Sequence, residues 1–145
     1  RSVAPNFLQL AEALRNDRRR VSGRQRTGLF ALQSHEIRRI ARHEECVFVG
    51  RCADYVLREE NVKLLTVFVS APDEHRIQRK MAQEKLTRDQ AVRLIRKMDK
   101  QRRKYYESYT GRIWGAPGGY DLYLDTGILS TADAAAIVAD RFRKL

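Results

Sequence analysis

The 145-residue chain is 43% hydrophobic and 32% charged, with eight glycines and three prolines, which excludes a disordered polymer and suits one domain with a sizeable core. No stretch approaches the ~20 consecutive apolar residues of a membrane span, and no signal-peptide pattern opens the chain. The formal net charge is +11, carried by 22 Arg against 7 Lys. The arginine fork pairs with phosphate oxygens in bidentate fashion, so nucleotides, nucleic acid or an acidic partner are the expected ligands, and charge alone does not separate them.

In chain order, residues 7–20 carry apolar side chains at 7, 10, 11 and 14, a helical spacing that dissolves into an arginine run. Residues 15–26 hold six basic side chains against one acidic, and 21–28 (VSGRQRTG) read as a turn-rich, mobile stretch. Ser34 is placed to cap a short helix through Arg42, with Ile37 and Ile40 inward. Residues 46–49 (CVFV) read as a buried strand, and a short helix with Ala53, Val56 and Leu57 inward follows Gly50-Arg51. Residues 63–72 form a second strand, apolar nearly throughout, as in a parallel sheet covered on both faces. Asp73 is expected to cap the next helix, to about Lys85.

Thr87 and Gln90 make a capping box for a long helix through about Tyr109. Residues 110–120 are loop, 121–125 (DLYLD) a third strand, and 130–145 a capped C-terminal helix. This alternation predicts an α/β class with a mostly parallel sheet. Ligands of such sheets collect beyond the carboxyl ends of the strands, here Gly50-Arg51, Ser70-Ala71-Pro72 and Asp125-Thr126. Neither an internal repeat nor a low-complexity tract interrupts the chain.

Gly50-Arg51 admits two readings: a turn with a solvated arginine, or a phosphate-binding turn in which Arg51 and Asp54 hold a phosphate and a base edge. A triphosphate loop requires G-x-x-x-x-G-K-[ST] after a strand, because several backbone N–H groups and a lysine must surround the phosphates. Gly50 has no partner glycine, and the Gly23–Gly28 spacing follows an arginine run and precedes Leu29-Phe30, so neither is a P-loop.

Residues 76–104 hold twelve basic side chains against three acidic. Within them Arg96, Asp99 and Arg103 fall at i, i+3 and i+7 with Arg102 flanking, either a solvated face with ion pairs or an arginine clamp on a transferring phosphoryl group. Tyr105, Tyr106, Tyr109 and Trp114 suit packing better than base stacking. His35, His43 and His75 are scattered among charged neighbours, as surface residues are. Cys46 and Cys52 match no zinc or redox spacing, no metal ligand set is expected, and a reduced cytoplasmic protein follows. Of Asp121 and Asp125, one is expected to be a cap and the other a strand-end polar group.

Four segments, "VFVGRCADYVL", "VFVSAPDEHRIQR", "MDKQRRKYYESYTGRIWG" and "YDLYLDTGILS", occur in an order that resembles the cytidylate kinase-like family over roughly residues 28–142. The resemblance implies a three-layer P-loop kinase-like fold in a single domain over 1–145, with a lid-like region at about 76–115. Gly50-Arg51 resembles the family's Gly-Arg-Asp, except that Cys52 stands where the Asp would be and Asp54 is the nearest acid, which weakens the implication for cytosine. Asp99 and Arg102 resemble the Asp-x-x-Arg that contacts the acceptor nucleotide, and Arg76 and Arg79 resemble the arginines that begin the lid over ATP.

The family opens with a strand and a glycine-rich loop that are not found here, so this stretch is expected to be the C-terminal part of a longer protein, without turnover by itself. The activity implied is transfer of phosphate from ATP, with Mg²⁺, to a nucleoside monophosphate such as CMP or dCMP. Arg51 and Asp54 would hold the acceptor monophosphate, Arg96, Arg102 and Arg103 would neutralise charge, and Arg76 and Arg79 would face ATP. Two other classes are a basic module that binds nucleic acid or a regulatory nucleotide without chemistry, and a kinase-like scaffold working through protein contacts. A polyanion binder loses affinity steeply with salt, a single-monophosphate pocket much less. The oligomeric state is left open.

Overall fold

Local signals at helix ends account for much of the architecture. The computed structural model describes residues 23–145, with side chains from residue 28; the expected helix at 7–20 and the arginines of 15–20 lie outside them. The elements run α1 (Gly23–His43), α2 (Ala53–Leu57), β1 (Val67–Ser70), α3 (Asp73–Glu84), α4 (Arg88–Thr110), β2 (Leu122–Asp125) and α5 (Thr131–Arg143). The capping box opens α4: Thr87 Oγ1 accepts the Gln90 N–H at 3.3 Å, and Gln90 Oε1 accepts the Thr87 N–H at 2.8 Å. Gly111, at φ 64°, ends that helix in the left-handed region, where glycine is unstrained. Ser130 likewise caps α5 by accepting the Asp133 N–H at 3.1 Å.

Four expectations are corrected here. The turn read at 21–28 is helical from Gly23 onward, and α1 continues to His43. Ser34 sits inside it, donating its hydroxyl to the Phe30 carbonyl one turn back at 2.8 Å instead of capping. Burial of one face, with Ile37 only 1% exposed, outweighs the local turn signals. Asp73 does not cap α3 with its side chain: Pro72 is the cap residue, and Asp73 lies in the first turn, where its charge favours the helix dipole.

The fourth correction concerns residues 46–49, which form no strand. Val47 and Val49 are 92% and 84% exposed, while Phe48 between them packs on the core. A strand needs a ladder partner for its N–H and C=O groups, and no described strand lies beside this segment. The sheet therefore has two strands among the described residues, not three. Strands β1 and β2 pair in parallel, with Val67 opposite Leu122 and Ser70 opposite Asp125, and α3 and α4 form the crossover that a parallel pair requires.

Both ends of this pair are pinned by side chains. At the start, Asp121 Oδ2 accepts the Thr66 backbone N–H at 2.7 Å and the Thr66 hydroxyl at 2.6 Å, while the Asp121 N–H returns to the Thr66 carbonyl at 3.0 Å. At the carboxyl end, the Thr126 hydroxyl donates to the Ser70 carbonyl at 3.1 Å, beside the Thr126 N–H at 2.8 Å. There Gly127 approaches Pro72 so closely that a Cβ would lie 2.4 Å from the proline ring. Asp121 is thus a strand clip and Asp125, which accepts the Gly127 N–H at 2.8 Å, a strand-end turn residue.

Two apolar clusters hold the helices. Ile37 of α1 packs with Ala53, Val56 and Leu57 of α2, joined by Phe30, Phe48 and Leu64. Ile77 of α3 packs with Ala91 and Ile95 of α4. Each fully buried aliphatic side chain of this size contributes about 1.5–3 kcal/mol. The first half of α4 thus belongs to α3, while its last turns reach α1, since Tyr109 stacks on Phe30 with ring centroids 4.2 Å apart. No described helix is long and apolar enough to cross a membrane.

Candidate functional site

Gly50, Arg51 and Cys52 all have positive φ, 74°, 58° and 56°. Glycine takes this conformation freely, but each non-glycine residue there costs about 1–2 kcal/mol, and strain of this kind persists only where surrounding structure over-determines it. The turn is closed by the Ala53 N–H to the Gly50 carbonyl at 3.2 Å and the Val56 N–H to the Cys52 carbonyl at 2.9 Å. Cys52 is buried; burial first, and then the neighbouring Asp54 carboxylate, push its thiol up to about 12, so it is a neutral packing group and not a nucleophile. Arg51 is directed at α4, its guanidinium carbon 5.8 Å from the Tyr105 ring centroid.

Asp54 is fixed by the same helix. The buried Tyr106 hydroxyl donates to Asp54 Oδ2 at 2.7 Å. Burial, reinforced by the bond to the carboxylate, raises the Tyr106 phenol well above its usual range, so it is a permanent donor. Tyr105 donates to Gln33 Oε1 of α1 at 3.1 Å. The tyrosines do pack, as the sequence suggested, but Tyr106 and Tyr105 also orient the two polar residues of the turn. Arg51 and Asp54 do not pair with each other. An open cavity of about 310 Å³ beside Tyr106 is lined by Tyr120, Arg112 and the glycine-bearing loop after α4.

The second cluster lies farther up α4. Asp99 receives Arg76 of α3 on both oxygens, Nη2 lying 2.8 Å from Oδ1 and 2.7 Å from Oδ2, and Arg102 Nη1 at 3.3 Å. Arg76 Nη1 also reaches Asp73 Oδ1 at 3.3 Å. Of the row anticipated on this helix, Arg102 joins Asp99, whereas Arg96 and Arg103 are exposed and pair with no described carboxylate, as does Arg79 on α3. Sequence reasoning missed the Arg76–Asp99 pair and the Tyr106–Asp54 bond. They span 23 and 52 residues, and no local pattern announces either.

Asp99 and Tyr106 are seven residues apart on one helix, so they share a face and lie about 10 Å apart along its axis. The turn cluster (Arg51, Asp54) and the clamp cluster (Arg76, Asp99, Arg102) are thereby set along one helix at roughly the span of a mononucleotide. Cations at both ends, with the Tyr105 and Tyr106 rings at the turn end, suit an anionic ligand with a planar group. No described group of three His, Cys, Asp or Glu side chains is arranged to hold a metal ion, and no described strand runs into a glycine-rich phosphate loop.

Comparison with known proteins follows the same direction. The model of the cytidylate kinase-like family matches residues 4–128. No curated protein matches the chain. Among solved structures, the crystal structure of an uncharacterized protein from Eubacterium ventriosum is similar, with 25% sequence identity and a TM-score of 0.76, over 80% of this chain and 65% of that one. The chain therefore spans 65% of the length of that relative.

Proposed function

Because the chain belongs to the cytidylate kinase-like family, we propose that it serves phosphoryl transfer from MgATP to a nucleoside monophosphate, CMP or dCMP being the expected acceptor. The observation that carries this reading is the alignment of the Arg51–Asp54 turn and the Asp99–Arg102 pair along α4. In the proposal, Arg51 holds the acceptor phosphate, and Asp54, oriented by Tyr106, meets its base or sugar. Asp99 and Arg102 position the acceptor from the other side. Arg96 and Arg103, exposed on the same helix, add positive charge where the phosphoryl group passes, and Arg76 and Arg79 turn to the donor phosphates as residues 76–115 close as a lid. Phosphoryl transfer is governed by positioning and charge stabilisation, which an arginine cluster supplies.

Mg²⁺ enters as part of the triphosphate substrate, held mainly by phosphate oxygens and water. The donor triphosphate also needs a cradle of backbone N–H groups, which residues 23–145 do not provide. Turnover thus depends on such a loop outside them, within a three-layer P-loop kinase-like sheet. Free Cys46 and Cys52 suit a reducing, cytoplasmic setting.

The test is a panel of nucleoside monophosphates with MgATP, followed by ADP release, on the full-length protein. CMP or dCMP should be phosphorylated. Arg51→Ala and Arg102→Ala should each lower kcat/KM at least about tenfold, as expected for a lost charge-assisted contact, with the unfolding midpoint little changed. Absence of turnover and of binding with every monophosphate would end the kinase reading, and wild-type rates in both variants would remove the site assignment.

A further inference from the structure

The Arg76–Asp99 pair joins two residues assigned above to opposite substrates. Arg76 sits in the first turn of α3, immediately beyond the carboxyl end of β1, while Asp99 lies midway along α4 beside Arg102. Three N–H···O contacts tie the Arg76 guanidinium to carboxylates, two on Asp99 and one on Asp73. An incoming phosphate must displace them. The pair is also breakable, because its side chains are 29% and 22% exposed and water-accessible ion pairs are weak. A second cation already stands at the same carboxylate: Arg102 Nη1 lies 3.3 Å from Asp99 Oδ1, so Asp99 can leave Arg76 without losing all its counter-charge.

We propose that Asp99 is a shared counter-ion that couples the two nucleotide sites. A nucleoside monophosphate that engages Asp99 together with Arg102 releases Arg76 toward the phosphates of a nucleoside triphosphate. By the same exchange, a triphosphate that takes Arg76 frees Asp99 for the acceptor. The ligands rest on the reading in the preceding subsection; the coupling rests on the geometry of the pair. Linkage requires the effect to be reciprocal, each nucleotide tightening the other by one and the same factor. In this role Asp99 is a positioning residue acting through Arg76.

The experiment is calorimetric titration of the full-length protein with CMP and with a non-hydrolysable MgATP analogue, each alone and in the presence of the other. In the wild-type protein CMP should tighten the analogue about fivefold, the lower end of ordinary coupling, and the analogue should tighten CMP equally. In Asp99→Asn the analogue alone should already bind about fivefold tighter, and the effect of CMP on it should vanish. Asp89→Asn removes an equal charge from the same helix without touching Arg76 and should behave as wild type. Arg76→Met, which removes the cation that Asp99 holds, should also lose the coupling and serves if Asp99→Asn does not fold.

Independent binding of the two nucleotides in the wild type overturns the proposal while leaving the kinase reading intact. Coupling that survives in Asp99→Asn, or an Asp89→Asn protein that reproduces the gain, does the same. Failure of every monophosphate and of the analogue to bind the wild type overturns the preceding reading and this proposal together.

Discussion

Removing the Asp121 carboxylate tests the claim that this acid is a strand clip and not a ligand group. Its Oδ2 accepts both the backbone N–H and the hydroxyl of Thr66, and Thr66 is 6% exposed. Two hydrogen bonds to a charged acceptor would each be worth about 1.5–3 kcal/mol in a dry setting. Asp121 is itself exposed, so solvent screens it, and we discount the sum to about 2 kcal/mol for Asp121→Ala. For a chain of this size that is roughly 4–8 °C in Tm.

The loss should depend on pH. The Thr66 side-chain bond first, and the Thr66 backbone bond with the charges of Arg58 and Arg141 after it, hold the Asp121 carboxyl below its usual range against the opposing effect of burial. A carboxyl depressed in the folded state contributes stability that is present above its unfolded pKa of about 3.9 and is lost as pH falls through the folded value. The gap between wild type and Asp121→Ala, read from urea unfolding at unchanged m, should be full at pH 7 and shrink below about pH 4. Asp121→Asn keeps an acceptor oxygen, so it should cost less and show little pH dependence. A gap under about 0.5 kcal/mol at pH 7, no larger than an ordinary surface substitution, would refute the clip. An equal gap at pH 3 and pH 7 would refute the electrostatic part.

Two further outcomes are expected besides those attached to the proposals above. Tyr106→Phe should destabilise the protein by about 1 kcal/mol through the lost bond to Asp54, and should weaken CMP more than the MgATP analogue, because only the acceptor side loses its orientation; equal weakening of both would point to a general packing role. Thiol titration should find Cys46 reactive in the native protein and Cys52 reactive only after unfolding, since Cys52 is buried and burial pushes its thiol far above the usual range. Two fast thiols in the native state would contradict the buried turn.

The helix starts were legible because their determinants lie within one turn of chain: Thr87 with Gln90, Ser130 with Asp133. The α/β alternation and the candidate positions Arg51, Asp54, Asp99 and Arg102 could be placed on a turn and a helix for the same reason. Where expectation failed, the missing information was non-local. Residues 46–49 have strand composition, yet composition supplies no ladder partner, and without one Val47 and Val49 stand in solvent. Ser34 carries a cap's chemistry but lies on a helix whose buried face extends past it, so its hydroxyl turns to Phe30.

By itself the sequence determined an arginine-rich α/β chain with a Gly-Arg turn and an Asp-x-x-Arg on a long helix. Only the tertiary structure decided what those groups hold. Asp54 is gripped by Tyr106 from 52 residues away, and Asp99 is shared between Arg76 and Arg102. Short-range hydrogen bonds set where a helix starts and stops, but the partner of a charge depends on which helices pack together, and that is settled by burial across the whole chain.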